Sequence, residues 1–214
     1  RYAASFFKRA SGFMDVVCYT GTGSPANYNH NLGVVPEMMI TKARTGSNNW
    51  FVYNADKGNN FVVYLNSDYS GGTDGGYRWN QTTPTASVFT NGTNAGSSGS
   101  GVPFVAYLFA TLDGVSKVGS YTGTGADLNV DCGFTAGARY ILIKRTDSTG
   151  DWYMWDSARG INAGNSPYLI MNTTGASVTT TDYIDPLNAG FTVTSTAPAA
   201  INASGGSYIF LAIA

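Results

Sequence analysis

The sequence predicts an all-β protein, and three observations carry that expectation. Gly, Ser, Thr and Asn supply 88 of the 214 residues, and these types favour turns and caps while sitting poorly in helix interiors. Glu occurs once, as Glu37, whereas Thr, Tyr and Val are frequent, a composition that suits pleated strands. Short β-rich runs alternate with Asx- and Gly-rich turn strings, with no helical period between them. At 43% hydrophobic the chain is too apolar for a disordered segment. It is long enough for one large core or two cores of ~100 residues each.

Charge narrows the partners. Only 12% of residues are charged, about half of the usual ~25%, and the net charge is −1 with no basic block. Nucleic acid is therefore not an expected partner, because backbone binding needs a basic patch. No apolar run approaches the ~20 residues of a membrane helix, so no membrane insertion is expected. With no starting Met and no signal-type leader, Arg1 reads as a cut end. Cys18 and Cys132 have no metal-ligand spacing. Two residues cannot decide a disulfide, and buried free thiols are the simpler expectation.

An internal duplication organises the chain. Tyr19-Thr20-Gly21-Thr22-Gly23 returns as Tyr121-Thr122-Gly123-Thr124-Gly125, an offset of 102 residues. At that offset Met39-Ile40-Thr41-Lys42 answers Ile141-Leu142-Ile143-Lys144, and Trp50-Phe51-Val52-Tyr53-Asn54 answers Trp152-Tyr153-Met154-Trp155-Asp156. The repeats span 13–111 and 115–214. Tyr2-Ala3-Ala4-Ser5-Phe6-Phe7 aligns with the closing run 104–109 in the same way, so residues 1–12 are expected to be the closing strand of an upstream repeat, or a lead-in.

Within each repeat, 38–44 and 139–145 are expected strands. Turns 45–49 and 147–151 lead into aromatic strands 50–53 and 152–155, a hairpin with a loop of about five residues. Residues 85–90 and 190–196 read as further strands. The continuous apolar runs 104–110 and 208–214 read as central strands covered on both faces. Strands at this density without helices suggest a sandwich or jelly roll. The pattern leaves open two sandwiches or two halves of one, and the apolar content of each repeat supports two.

Several strings resemble a repeat domain of tailed-bacteriophage virion proteins, of the tail-fibre-like or receptor-binding kind. They are Asn29-His30-Asn31-Leu32-Gly33-Val34-Val35-Pro36, Ile143-Lys144-Arg145, Trp155-Asp156-Ser157-Ala158-Arg159-Gly160 and Ile201-Asn202-Ala203-Ser204-Gly205-Gly206-Ser207-Tyr208. The resemblance covers essentially the whole chain, and such domains often stand in tandem. It implies two tandem concanavalin-like (jelly-roll) β-sandwich repeats in a virion protein on the phage tail or capsid exterior. It further implies a homotrimer, with a host-surface polysaccharide or other receptor and other virion subunits as partners. A structural spacer or decoration domain is the alternative. No catalytic residue is carried over. The first repeat departs from the Trp-Asp-Ser-Ala-Arg-Gly string, having Tyr53-Asn54-Ala55-Asp56-Lys57-Gly58.

The residues argue against catalysis, and no cofactor or metal is expected. A nucleophile needs a base beside it, and the single histidine, His30, lies in a polar turn with no counterpart in the second repeat. Glycoside hydrolysis by the common route needs two facing carboxylates, but Asp151 and Asp156, an odd five residues apart, fall on opposite faces of a strand. The Tyr-Thr-Gly-Thr-Gly strings lack the lysine and helix of a phosphate loop. Asp147 and Asp151 form the best carboxylate pair for calcium, well short of the usual six to eight oxygens.

The aromatic residues are the better lead. Phe51 and Tyr53 share one strand face, as do Tyr153 and Trp155. One face of each aromatic strand belongs to the core; the other can stack on sugar or pack under a neighbouring strand. Tyr77 and Trp79 lie beside the Gly-rich insert of the first repeat, and amphipathic rings serve binding loops well. The expected ligand-binding residues are Tyr77, Trp79, Tyr53, Trp155, Asp156 and Arg159.

Overall fold

The computed structural model of the chain describes residues 6–214. The strands are β1 (Met14–Thr20), β2 (Ala26–Asn29), β3 (Met38–Ala43), β4 (Phe51–Asn54), β5 (Phe61–Tyr64), β6 (Gly72–Thr73), β7 (Val88–Asn91), β8 (Pro103–Phe109), β9 (Ser116–Thr122), β10 (Leu128–Asp131), β11 (Tyr140–Arg145), β12 (Trp152–Asp156), β13 (Tyr168–Ile170), β14 (Ile184–Leu187), β15 (Gly190–Val193) and β16 (Ser207–Ile213). Two single-turn helices, α1 (Ala95–Ser98) and α2 (Ala199–Asn202), interrupt them. The protein is all-β, with several antiparallel sheets.

The chain divides into two compact units. The first comprises Phe7–Asn66 with Gly71–Thr111; the second comprises Ser67–Ser70 with Leu112–Ala214. In the first, a sheet of order β1-β8-β3-β4-β5-β6 accompanies a small sheet, β2-β7. In the second, a sheet of order β9-β16-β11-β12-β13 accompanies β10-β15-β14. The order of the large sheet thus recurs strand for strand through its first five members. The expected central runs lie where they were placed: β8 is paired on both sides by β1 and β3, and β16 by β9 and β11. β16 is buried almost throughout, whereas Val105 and Tyr107 of β8 are only half-buried. The hairpins β3–β4 and β11–β12 form as the turn strings predict.

Each unit's two sheets contribute side chains to one core. In the first unit Phe89, from the small sheet, joins Met39, Phe51, Tyr53, Phe104 and Leu108 from the large one. In the second, Val130, Ile184 and Phe191 meet Ile141, Trp155, Tyr168 and Phe210. Burying such side chains contributes roughly 1.5–3 kcal/mol each, which is what holds strands of two to seven residues in place.

The Tyr-Thr-Gly-Thr-Gly strings act as a latch between a strand end and a one-turn helix. Tyr19 Oη donates to Ser97 O at 2.9 Å, and Tyr121 Oη to Ile201 O at 2.7 Å. A Cβ on Gly21 would stand 2.3 Å from Gly99 O, and one on Gly123 2.4 Å from Ala203 O. The glycines are therefore required by close backbone approach. Gly123→Ala should lower stability by about 2 kcal/mol through overpacking, read as a lower urea midpoint with an unchanged m-value.

Some expectations need correction. The helices were not anticipated; α1 begins where the Asn94 side chain accepts from Gly96 N–H, a cap that offers the backbone one helical turn. Of the strand expected over 2–7, the portion before residue 6 lies outside the described residues. Phe6 and Phe7 are not in a strand. Phe7 instead sets its ring edge-on to Phe13 and Phe109, at 6.4 Å from each. That contact lies within the first unit and gives one of the two large rings apolar cover. Both cysteines are free, but only Cys132 is buried; Cys18 is exposed.

Candidate functional site

The insert at 71–82, which begins with β6, forms a braced pedestal. The Asp74 carboxylate accepts from the backbone N–H groups of Gly76 (2.9 Å) and Arg78 (3.1 Å) and from Arg78 Nη1 (2.9 Å). The Arg78 guanidinium lies 4.6 Å over the Phe51 ring and 5.5 Å over Tyr64, whose hydroxyl accepts from Nη2. This ion pair is shielded from water, where charge-assisted bonds and cation–π contacts are strongest. Trp79 is fully buried, its Nε1 donating to Phe61 O at 3.1 Å and its ring edge-on to Tyr53. Asn94 N–H donates to Tyr77 O and Gly92 N–H to Arg78 O. A Cβ on Gly92 would lie 2.4 Å from Tyr77 O.

Of the insert's two rings Tyr77 is the one that reaches solvent, 62% exposed, while Trp79 is enclosed. Asn80 and Gln81, at φ 52° and 48°, are in the left-handed region without being glycine. Such residues cost on the order of 1–3 kcal/mol each and persist only where their surroundings over-determine them. The surroundings here are Thr82 N–H on Trp79 O and Gln81 Nε2 on Gly75 O.

The other expected site residues are taken up by the fold. Trp79 is an internal anchor and presents no ring to a ligand. Tyr53 and Trp155 face their own cores, and both faces of the aromatic strands β4 and β12 are buried. Trp155 Nε1 donates to Ser166 O at 3.1 Å. Asp156 and Arg159 pair with each other, and Arg159 N–H also donates to Asp156 Oδ1, so the Asp-Ser-Ala-Arg string closes a turn after β12. The first unit's Asn54 makes a lesser version of it, accepting from Asp56 N–H. The structure thus brings together Tyr53 with Trp79, and Asp156 with Arg159, and leaves Tyr77 accessible. The Asp74–Arg78 brace escaped the sequence reading. Its only signal was two opposite charges four residues apart among glycines.

His30 is sealed rather than poised. Nδ1 accepts from Leu32 N–H at 3.2 Å, so Nε2 carries the proton that meets Thr85 O at 3.1 Å. Burial pulls its pKa below the usual imidazole range, against the Thr85 carbonyl and the Asp15 charge. Burial acts to raise the pKa of Asp15, but the N–H groups of Asn31 and Val16 and the Arg9 guanidinium outweigh it and hold the carboxyl low. Asp147 pairs with Arg145 and Asp151 with Asn172, so the two carboxylates serve different partners. Among the described residues no group of three His, Cys, Asp or Glu side chains could hold a metal ion.

Two compact all-β units, a recurring sheet order and one braced, aromatic-tipped insert define a scaffold with loops for variation. Residues 5–214 match the family described as Domain of unknown function (DUF7483), and the chain belongs to it. No curated protein and no solved structure matches the chain.

Proposed function

We propose that the chain is a non-catalytic part of a tailed-phage virion: a tail-fibre segment of two concanavalin-like (jelly-roll) β-sandwich repeats that recognises a host-surface glycan. The observation that carries this reading is the contrast between repeated sheets and unrepeated loops. The sheet order of the first unit recurs in the second, while the braced insert at 71–82 belongs to the first alone. A scaffold held constant beneath a varied loop is the arrangement by which binding proteins present a site. The sealed His30 and the separately engaged Asp147 and Asp151 speak for binding rather than turnover. Assembly as a homotrimer with other virion subunits belongs to the same reading.

A structural spacer on the virion is the second reading, favoured by the burial of Tyr53, Trp79 and Trp155 in the fold. Antibody against the chain decides between them. On the first reading it labels the outside of intact virions and blocks their adsorption. Labelling without any effect on adsorption identifies a spacer, and no labelling removes both. Light scattering on the assembled protein should give three copies.

A further inference from the structure

We propose that Tyr77 is the stacking platform of a binding site for a neutral hexose, displayed by the braced insert at 71–82. The inference rests on the glycan-recognition reading above and narrows it to one residue and one chemical class. The insert is pre-organised. Ordering a loop on binding costs affinity, and a loop ordered during folding avoids that cost. Asp74 and Arg78 tie the insert from below, Trp79 roots it in the core, and the backbones of residues 77 and 78 are bonded to Asn94 and Gly92. Gly76 at φ +82° and Gly92, against the Tyr77 carbonyl, allow no side chain without displacing their neighbours. The backbone that carries the exposed ring is thus held in one conformation.

The residues near the ring in sequence are polar. A protein-binding hot spot sits among apolar contacts that exclude water. Tyr77 is followed in sequence instead by the exposed Asn80, Gln81, Thr82 and Thr83, whose amides and hydroxyls are partly engaged with Gly75, Asn59 and one another and keep further donors and acceptors to offer. That combination matches a pyranose, which has an apolar C–H face for the ring and a rim of hydroxyls for the amides. The insert's two ions neutralise each other in a shielded pair, so the insert itself offers no unpaired cation to select an acidic sugar.

The test uses the full chain in gels cast with dextran, mannan or galactan as neutral probes and polygalacturonate as the acidic one. Retardation by at least one neutral polymer is expected, with none by polygalacturonate. Tyr77→Ala should weaken that retardation at least tenfold, and Tyr77→Trp, which keeps a stacking ring, should restore it. The ring is outside the core, so both variants should keep the wild-type urea midpoint. Equal retardation of Tyr77→Ala and wild type would overturn the assignment to Tyr77 while leaving glycan recognition standing. Retardation by polygalacturonate would overturn the neutral class. No retardation by any neutral polymer overturns the hexose proposal, whereas the glycan reading falls only if the antibody leaves adsorption unaffected.

Discussion

Trp79→Ala should lower stability by about 3–5 kcal/mol, the range for emptying a large aromatic site, while Tyr77→Ala, two residues away, should change it by less than about 0.5 kcal/mol. The difference follows from burial. Trp79 is fully enclosed, fills the space beside Tyr53 and supplies the donor for Phe61 O; Tyr77 stands mostly in solvent. Alanine at 79 leaves a cavity and a carbonyl without its donor, two costs that add. It also uproots the insert, so amide exchange over 71–82 should accelerate while the β3–β8 pairing stays protected. Urea titration and hydrogen exchange check both parts. Equal loss from the two substitutions would mean that Tyr77 is a core residue too.

That pair shows what can be read from sequence and what cannot. Residues 77 and 79 would share a face in a strand, and the sequence reading treats them alike. In the structure 75–81 is a turn, with Gly76 at positive φ, so the period of two does not apply and the rings part company. Long apolar runs such as Ser207–Ile213 are legible because their composition alone demands cover on both sides. β2, with the sequence Ala-Asn-Tyr-Asn, is not. Only its pairing with β7, some sixty residues on, makes it a strand. Periodicity also places Tyr53 on one face with Phe51, and Trp155 on one face with Tyr153, without saying which face is covered, and both faces of each strand are covered. Of the rings that the sequence singles out, Tyr77 is therefore exposed, while Trp79, Tyr53 and Trp155 are spent on the cores.

Lys144 should make stability depend on pH in the alkaline range. It is fully buried on β11, with Nζ donating to Gly150 O at 2.6 Å and Asp68 O at 3.1 Å, inside the second unit. Burial lowers its pKa to about 8 from 10.5, against the opposing charges of Asp68 and Asp151. The unfolded chain therefore binds the proton more tightly than the folded one, and stability rises with pH wherever that holds. The window runs from about pH 8 to 10.5, and the contribution across it is on the order of 3 kcal/mol. Cys132 acts in the opposite sense: burial pushes its thiol up to about 12, so folding holds that proton and stability falls above the ordinary thiol range. Tyrosines such as Tyr19, Tyr121 and Tyr153, whose hydroxyls burial also holds protonated, act in the same sense as the thiol; the total slope mixes all of these, and Lys144→Met isolates the lysine. Methionine keeps the length of the side chain but carries no proton to lose. Below pH 8 it removes a costly buried charge and also the donor for two carbonyls, so the two effects offset each other there. Between pH 8 and 10.5 wild type should gain on the variant by that same order of 3 kcal/mol, seen in urea midpoints at matched pH. Parallel curves for the two proteins would show that Lys144 titrates in the folded protein as it does in water, and that its two carbonyl bonds repay the whole of its burial.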